Sequence, residues 1–221
     1  MLLSAQNVSK AFDSFLAVRG ADLAVAEGEI IGLIGPNGAG KSTFFNCLAG
    51  DTVPTTGRVL FDGVDLTRSS AETHARAGIG RTFQVPATFE DMTVLDNVMV
   101  GTFLRHRHRA RSLGTPGRKR HEIARVLATG PRLMLLDEAL AGLTPAELQQ
   151  AIALVRRIHE LGVTLVIVEH IMEVIMTLAQ RVLVFNQGHV IAHGKPHEIV
   201  ANEAVIEAYL GRGHHRRREA P

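Results

Sequence analysis

The fold of this chain is decided by the stretch Gly35-Pro36-Asn37-Gly38-Ala39-Gly40-Lys41-Ser42-Thr43. This stretch matches the phosphate-loop pattern G-x-x-x-x-G-K-[ST] at every fixed position. The apolar run at residues 29–34 predicts a buried strand before it, and residues 43–49 predict a helix after it that ends at Gly50. Because both flanks have the required character, a chance glycine-rich turn is a poor explanation of the match.

The order of strand, glycine-rich turn and helix builds a site for anions. Glycines let the backbone curl around phosphates, while backbone N–H groups and the positive end of the helix dipole converge on them. We expect Lys41 to reach the β- and γ-phosphates and Ser42 to bind Mg²⁺. The stretch therefore predicts a nucleotide-binding site formed by Gly35, Pro36, Asn37, Gly38, Ala39, Gly40, Lys41, Ser42 and Thr43.

Length and composition are those of an ordinary globular protein. The 221 residues suit one or two domains, and no apolar run is long enough to cross a bilayer. No extended apolar region follows Met1, so we expect no signal peptide and a cytoplasmic location. The single cysteine, Cys47, excludes an internal disulfide. A net charge of +2 is too small to indicate nucleic acid as a partner.

Two further apolar runs end in polar residues that suit chemistry. Residues 133–136 lead into Asp137 and Glu138, and residues 164–168 lead into Glu169 and His170. Gln84 follows a third predicted strand. In a parallel sheet the carboxyl ends of the strands share one edge with the phosphate loop, so we expect these side chains to meet it there.

The remaining pattern predicts an antiparallel β region at residues 2–26 and a series of helices. Phe12, in that region, is either a core residue or an aromatic ring that stacks on a purine base. Capping boxes predict one helix beginning at Ser69 with Glu72 and another capped by Thr144 with Glu147. We also predict a helix at 171–180, a hairpin at 181–186 and 189–193, and short helices at 196–201 and 202–210.

Positive charge is concentrated in two segments. Residues 105–111 alternate arginine with histidine, without acids, and we interpret them as an exposed loop, with a phosphate, lipid-headgroup or metal site as the alternative. The tail at residues 211–221 is predicted to be disordered or to contact a membrane surface.

Together these motifs resemble the ATP-binding subunits of ABC transporters over nearly the whole chain. Gly35–Thr43 is similar to the Walker A loop, Leu133–Glu138 to Walker B and Ala141–Thr144 to the D-loop. Gln84 is similar to the Q-loop glutamine and His170 to the switch histidine. Three short stretches most resemble the ATPases of branched-chain amino acid importers, namely Gly80–Gln84, Val168–His170 and Ala208–Leu210.

The resemblance implies an α/β fold, that of a P-loop NTPase of the ABC ATPase type. Its core would be a mixed sheet, joined by an antiparallel β subdomain and a truncated helical subdomain. The implied parts are an N-terminal β and P-loop part at 1–84, a shortened helical subdomain with the basic loop at 85–130, the rest of the ATPase core at 131–210 and a basic tail at 211–221.

The resemblance also implies roles for single residues. Glu138 would orient or deprotonate the attacking water, His170 and Lys41 would contact phosphate, and Gln84 would link the metal site to the helical subdomain. Mg²⁺ would be held by Ser42, Gln84 and Asp137, and Phe12 would stack on the adenine of ATP. The implied partners are membrane permease subunits, a second ATPase subunit and an extracytoplasmic solute-binding protein, with the chain on the inner face of the cell membrane.

The chain departs from the family pattern at one motif. The signature L-S-x-G-Q is missing, and its best counterpart is Thr115-Pro116-Gly117-Arg118, one residue shorter. The interval between Gln84 and Leu133 is also a few dozen residues short. Two hypotheses follow, a working transport ATPase and a nucleotide-binding module with impaired hydrolysis. The presence of both Glu138 and His170 favours the ATPase, and a DNA-repair ATPase is disfavoured because the chain has no room for a long coiled-coil insertion.

Overall fold

The computed structural model describes residues 1–82 and 122–210, and these residues form two β-sheets flanked by helices. The first sheet has four antiparallel strands in the order β2-β1-β4-β5. Its strands are β1 (Leu3–Phe12), β2 (Phe15–Val25), β4 (Thr56–Phe61) and β5 (Val64–Asp65). The predicted antiparallel β region is therefore confirmed, and it forms a sheet of its own.

The second sheet has six strands in the order β10-β9-β3-β8-β7-β6. All neighbouring strands are parallel except β10 and β9 at one edge, which are antiparallel. The three central strands are buried along their whole length, as their continuous apolar runs predict. The six strands are β3 (Ile30–Ile34), β6 (Ile79–Arg81), β7 (Leu133–Asp137), β8 (Thr164–Val168), β9 (Arg181–Asn186) and β10 (His189–Gly194).

One helix, α1 (Lys41–Ala49), lies between the two sheets. Its Phe44 and Phe45 are fully buried in one apolar cluster with residues of both sheets, and the Phe44 ring lies 5.2 Å from that of Phe185 in β9. Neighbouring residues of β3 alternate between this cluster and the opposite face, as a strand's period of two requires. The helix that carries the phosphate loop is thus held by packing on two sides.

The opposite face of the six-stranded sheet is covered by α3 (Pro145–Glu160), which packs there with residues of the helical segment at 122–127. The other helices are α2 (Ala71–Ala77), α4 (Met172–Leu178), α5 (Pro196–Val200) and α6 (Glu203–Leu210). The hairpin and helices predicted for residues 171–210 are confirmed within two residues at each end.

Two helices, α2 and α3, begin at side-chain caps, and one of the two predicted caps was wrong. Thr144 and Glu147 form the predicted capping box of α3. In α2 the cap is Ser70, whose hydroxyl accepts the N–H of Thr73, so the predicted box of Ser69 with Glu72 is displaced by one residue. The helix after the phosphate loop begins at Lys41 and not at Thr43, because Gly40 already serves as its N-cap.

Several sequence predictions lie outside the described residues. These are Gln84, the basic run at 105–111, the signature counterpart at 115–118 and the tail at 211–221. Within the described residues, no helix combines the length and apolarity needed to cross a membrane.

Candidate functional site

One cleft of about 780 Å³ lies at the carboxyl edge of the parallel strands. The phosphate loop follows β3, Glu138 follows β7 and His170 follows β8, and these three strands are neighbours. Parallel neighbours deliver their carboxyl ends to the same edge, so the polar residues converge although more than 130 positions separate the first from the last. The cleft is lined by Phe15, Ala17, all of Gly35–Thr43, Glu138, His170 and Tyr209.

The phosphate loop needs glycine for steric reasons. Gly40 has a φ of +99°, and a Cβ there would lie 2.4 Å from the carbonyl oxygen of Ala17 in β2. At Gly35 a Cβ would lie 2.2 Å from the carbonyl oxygen of Phe185. As the N-cap of α1, Gly40 offers no side chain to the N–H groups of the first helical turn. Those N–H groups therefore face the cleft as donors for an anionic ligand.

The side chain of Lys41 folds back over the phosphate loop. Its Nζ donates to the carbonyl oxygen of Gly35 at 2.6 Å and to that of Pro36 at 2.9 Å. Burial lowers the pKa of Lys41, while the nearby charges of Glu138 and Asp137 raise it in part. The cation thus already sits between the loop and the two carboxylates at the end of β7, where phosphate oxygens would replace its carbonyl acceptors.

Glu138 occupies a strained turn at the end of β7. Its φ of +46° is unusual for a residue with a side chain, and its N–H donates to the carbonyl oxygen of Val168 at 2.9 Å. The N–H of Ala141 closes the turn onto the carbonyl oxygen of Glu138 at 3.2 Å. Left-handed residues held in this way are frequent at functional sites, where the surrounding structure offsets the strain.

Asp137, the preceding residue, is buried among polar partners. Its carboxylate Oδ2 accepts a hydrogen bond from Arg81 Nη2 at 3.0 Å, and its N–H donates to the Thr82 hydroxyl at 3.2 Å. Burial raises the pKa of Asp137, and the charge and hydrogen bond of Arg81 oppose that shift. The carboxylate is therefore held in one orientation beside the loop.

His170 is exposed in the cleft, whereas Glu169 beside it is buried. The Glu169 Oε1 accepts the N–H of Leu140 at 2.9 Å. Together with the bond from Glu138 to Val168, this contact ties the turn after β7 to the end of β8. The sequence places Glu169 at the end of β8 but did not reveal its contact with Leu140, which lies 29 positions away in a different turn.

The aromatic residue in the cleft is not the one that the sequence indicates. Phe12 is absent from the cleft lining, and Lys10 Nζ lies over its ring at 5.1 Å. Phe15, its partner across the β1–β2 hairpin, lines the cleft and is 63% exposed. Tyr209 of α6 lines it as well; burial raises the pKa of Tyr209, and a hydrogen bond with the Gly35 backbone partly offsets this. Among the described residues, Phe15 and Tyr209 are thus aromatic residues of the cleft lining, and Phe12 is not.

The oxygen donors at the cleft and directly beside it fit Mg²⁺. Among residues 1–82 and 122–210, no three His, Cys, Asp or Glu side chains group to hold a metal by themselves. Mg²⁺ is commonly bound by one or two carboxylates, water and phosphate oxygens of the substrate, and not by an all-protein cage. The Ser42 hydroxyl in the first turn of α1 and the oriented carboxylate of Asp137 supply such a partial set. The third predicted ligand, Gln84, lies outside the described residues.

The sequence matches two family profiles. The first, described as "ABC transporter", matches residues 18–141, which is more than half of the chain. The second, "Branched-chain amino acid ATP-binding cassette transporter", matches residues 189–215, the region of β10, α5 and α6.

Curated relatives match over almost their full length. The branched-chain amino acid transport ATP-binding protein BraF of Pseudomonas aeruginosa is 34% identical, covering 95% of this chain and 98% of its own. LivG of Escherichia coli, described likewise, is 36% identical with the same coverage. The lipopolysaccharide export ATP-binding protein LptB of Escherichia coli is 33% identical, covering 95% of this chain and 97% of its own.

Solved structures agree with the fold. The ADP conformation of MJ1267, an ATP-binding cassette of an ABC transporter, superimposes with a TM-score of 0.88 at 27% identity, covering 96% of this chain and 99% of that one. The expected α/β P-loop fold is therefore confirmed. From the profile, the relatives and the cleft at the carboxyl edge of its parallel sheet, we conclude that this chain belongs to the ABC transporter family as one of its ATP-binding ATPase subunits.

Proposed function

We propose that this ATPase subunit hydrolyses ATP to power the import of branched-chain amino acids. The observation that carries the proposal for hydrolysis is the shared cleft, which brings Glu138 and His170 to the phosphate loop. A site that only bound nucleotide would need the loop but neither of these side chains.

The proposal for the cargo rests on the C-terminal region. Overall identity does not distinguish cargoes, because LptB, named for lipopolysaccharide export, is 33% identical and BraF 34%. The profile named for branched-chain amino acid transport matches residues 189–215, where α6 places Tyr209 at the cleft. This region supports a branched-chain amino acid importer over an exporter.

Each residue at the cleft has a role that its surroundings allow. The loop N–H groups bind the phosphates, and Lys41 exchanges its two carbonyl acceptors for phosphate oxygens. When bound, Mg²⁺ neutralises charge that develops on the phosphate oxygens. Glu138 accepts a proton from the attacking water or orients it, and His170 donates to the γ-phosphate. Phe15 provides the ring that the adenine contacts, in place of Phe12.

The same proposal includes the partners that the family resemblance implies. The subunit would pair with a second ATPase subunit and dock on membrane permease subunits, on the inner face of the cell membrane, in a system that has an extracytoplasmic solute-binding protein. Support comes from the relatives, which are named as ATP-binding proteins of transport systems.

The alternative, a binding module with impaired hydrolysis, is not favoured by the comparisons. Relatives named as transport ATP-binding proteins cover 95% of this chain, and the catalytic positions are present. The chain is nevertheless shorter than its relative BraF. Alignment with BraF extends over 252 positions, whereas 95% of 221 residues is about 210, so about 40 positions of the relative have no counterpart here. A shortfall of this size supports a shortened helical subdomain between Gln84 and Leu133.

The hydrolysis proposal is tested by ATP turnover in the wild type and in Glu138→Gln. Loss of the base should lower kcat by about 10²–10⁴-fold while ATP binding is retained. The matched control is Glu160→Gln, the same change at an exposed residue that does not line the cleft. Turnover at the wild-type rate in Glu138→Gln would refute the role of Glu138. Tight ATP binding without turnover in the wild type would instead establish the binding module.

The cargo proposal needs a separate experiment. The subunit is combined with the permease encoded beside it in proteoliposomes, and ATP-dependent uptake of radiolabelled leucine and of an unrelated amino acid such as histidine is compared. Leucine uptake that disappears with Glu138→Gln is the expected result. If neither amino acid is taken up while ATPase activity is intact, the cargo proposal is refuted and the hydrolysis proposal is not affected.

A further inference from the structure

Arg81, the last residue of β6, bridges two carboxylates that belong to different parts of the fold. Its Nη2 donates to Asp137 Oδ2 at 3.0 Å, and its Nη1 donates to Asp51 Oδ2. The side chain of Arg81 is 13% exposed and that of Asp137 only 8%. The pair with Asp137 is therefore largely screened from water, where a charge-assisted hydrogen bond is stronger and more directional than at the surface.

A third contact fixes the guanidinium from the side of α1. The Arg81 Cζ lies 5.3 Å from the ring centre of Phe45, which is fully buried in α1. Asp51 follows the same helix, one residue after its C-cap Gly50. The guanidinium is thus held between α1 and the end of β7, and its planar fork has little freedom to reorient.

The backbone of Asp137 is fixed by Thr82, the residue that follows Arg81. The Thr82 hydroxyl accepts the N–H of Asp137 at 3.2 Å, and the Thr82 N–H donates to the carbonyl oxygen of Leu135 at 2.9 Å. Residues 81 and 82 therefore hold both the main chain and the side chain of Asp137. These contacts continue the pairing of β6 with β7 as far as Asp137, the last residue of β7.

We propose that Arg81 is the positioning residue for the metal ligand Asp137. A carboxylate has two oxygens, and Arg81 engages Oδ2 by a fixed geometry, which leaves Oδ1 for Mg²⁺ or a water bound to it. This inference rests on the proposed Mg²⁺ site, and the role of Arg81 is indirect because it contacts the ligand and not the metal.

The inference is tested by metal affinity and not by turnover. Mn²⁺ replaces Mg²⁺, and its binding to the complex of the full chain with ADP is measured by electron paramagnetic resonance. Arg81→Leu should weaken Mn²⁺ binding by about 10–100-fold, the usual effect of removing a residue that orients a metal ligand. ADP affinity without metal should stay close to the wild-type value, because Arg81 does not line the cleft.

Three further variants separate the possible explanations. Arg76→Leu removes an exposed arginine that also pairs with a carboxylate, and it should leave Mn²⁺ binding unchanged. Arg81→Lys keeps the charge without the planar fork and should bind Mn²⁺ less well than the wild type but better than Arg81→Leu. Asp137→Asn tests the metal site itself and should bind Mn²⁺ at least as poorly as Arg81→Leu.

Each result has one meaning. Mn²⁺ affinity that is equal or higher in Arg81→Leu, while Asp137→Asn loses it, would overturn the positioning role and leave the metal site intact. Wild-type affinity in Asp137→Asn would remove the proposed metal site, and the role of Arg81 with it. If Arg81→Leu does not fold, as judged by circular dichroism, the Lys variant decides, because wild-type Mn²⁺ affinity there overturns the inference and weaker binding supports it.

Discussion

Replacement of Gly40 by alanine should damage both the stability of the fold and the phosphate loop. Gly40 has a φ of +99°, and the added Cβ would lie 2.4 Å from the carbonyl oxygen of Ala17 and 3.4 Å from the Cα of Gly188. The closest ordinary carbon–oxygen contacts are about 3.3 Å, so the backbone of the loop or of β2 must move. Neither is the mobile end of a side chain.

The magnitude follows from two terms. A left-handed conformation costs an alanine about 1–2 kcal/mol relative to glycine, and forcing an extra carbon into packed structure costs about 1–3 kcal/mol more. Gly162→Ala provides the matched control, because its φ is +89° and the added Cβ meets nothing within 4 Å. We therefore expect Gly40→Ala to be less stable than Gly162→Ala by about 1–3 kcal/mol, or about 2–12 °C in Tm for a chain of this size.

The free energy of unfolding is measured by urea denaturation and ATP affinity by titration calorimetry. Gly38→Ala serves as a second control inside the loop, because its φ is +75° and its Cβ position is open. Gly40→Ala should lose more ATP affinity than Gly38→Ala, since only the former displaces the loop from β2. Equal stability of Gly40→Ala and Gly162→Ala would refute the steric reasoning.

Three further predictions follow from the same structure. Phe15→Ala should weaken ATP binding by about 5- to 150-fold, which corresponds to the about 1–3 kcal/mol of a base–aromatic stack. Phe12→Ala should leave ATP binding unchanged, and calorimetry that shows the reverse order would restore Phe12 as the stacking ring. Glu169→Leu leaves the buried N–H of Leu140 without its acceptor and should lower kcat more than it raises KM. Glu169→Gln retains an acceptor oxygen and should recover most of the rate. Equal losses of rate in both variants would count against Glu169 acting through this hydrogen bond. Burial raises the pKa of Glu29, but the hydrogen bonds and charge of Arg181 and the N–H of Ala26 together outweigh this and bring the pKa below the usual 4.5. The stability that Glu29 contributes is therefore present above pH 4.5 and lost as the pH falls through its lowered value. Urea denaturation should show Glu29→Gln as less stable than the wild type near neutral pH, with a smaller difference near about pH 3.5; a constant difference would contradict the sign.

Much of the fold was predictable because it is encoded locally. The buried strands are continuous apolar runs, and the capping box of Thr144 with Glu147 needs only residues three positions apart. The displaced cap of α2 shows the limit of this reasoning, since the capping-box pattern favours Ser69, with Glu72 three positions on, and the N-cap is nevertheless Ser70. Only the backbone conformation selects between them.

By itself, the sequence determined the phosphate loop, the strands that carry it and the acidic and histidine residues at their ends, because each of these depends on neighbouring residues and on the shared edge of a parallel sheet. The tertiary structure alone decided which ring, Phe15 or Phe12, lines the cleft, since that depends on the hairpin's position against the loop. It also decided the bridge from Asp51 through Arg81 to Asp137 and the contact of Glu169 with Leu140. These contacts join residues that are 29 to 56 positions apart, and they meet because β6 pairs with β7, β7 pairs with β8, and α1 packs against the sheet.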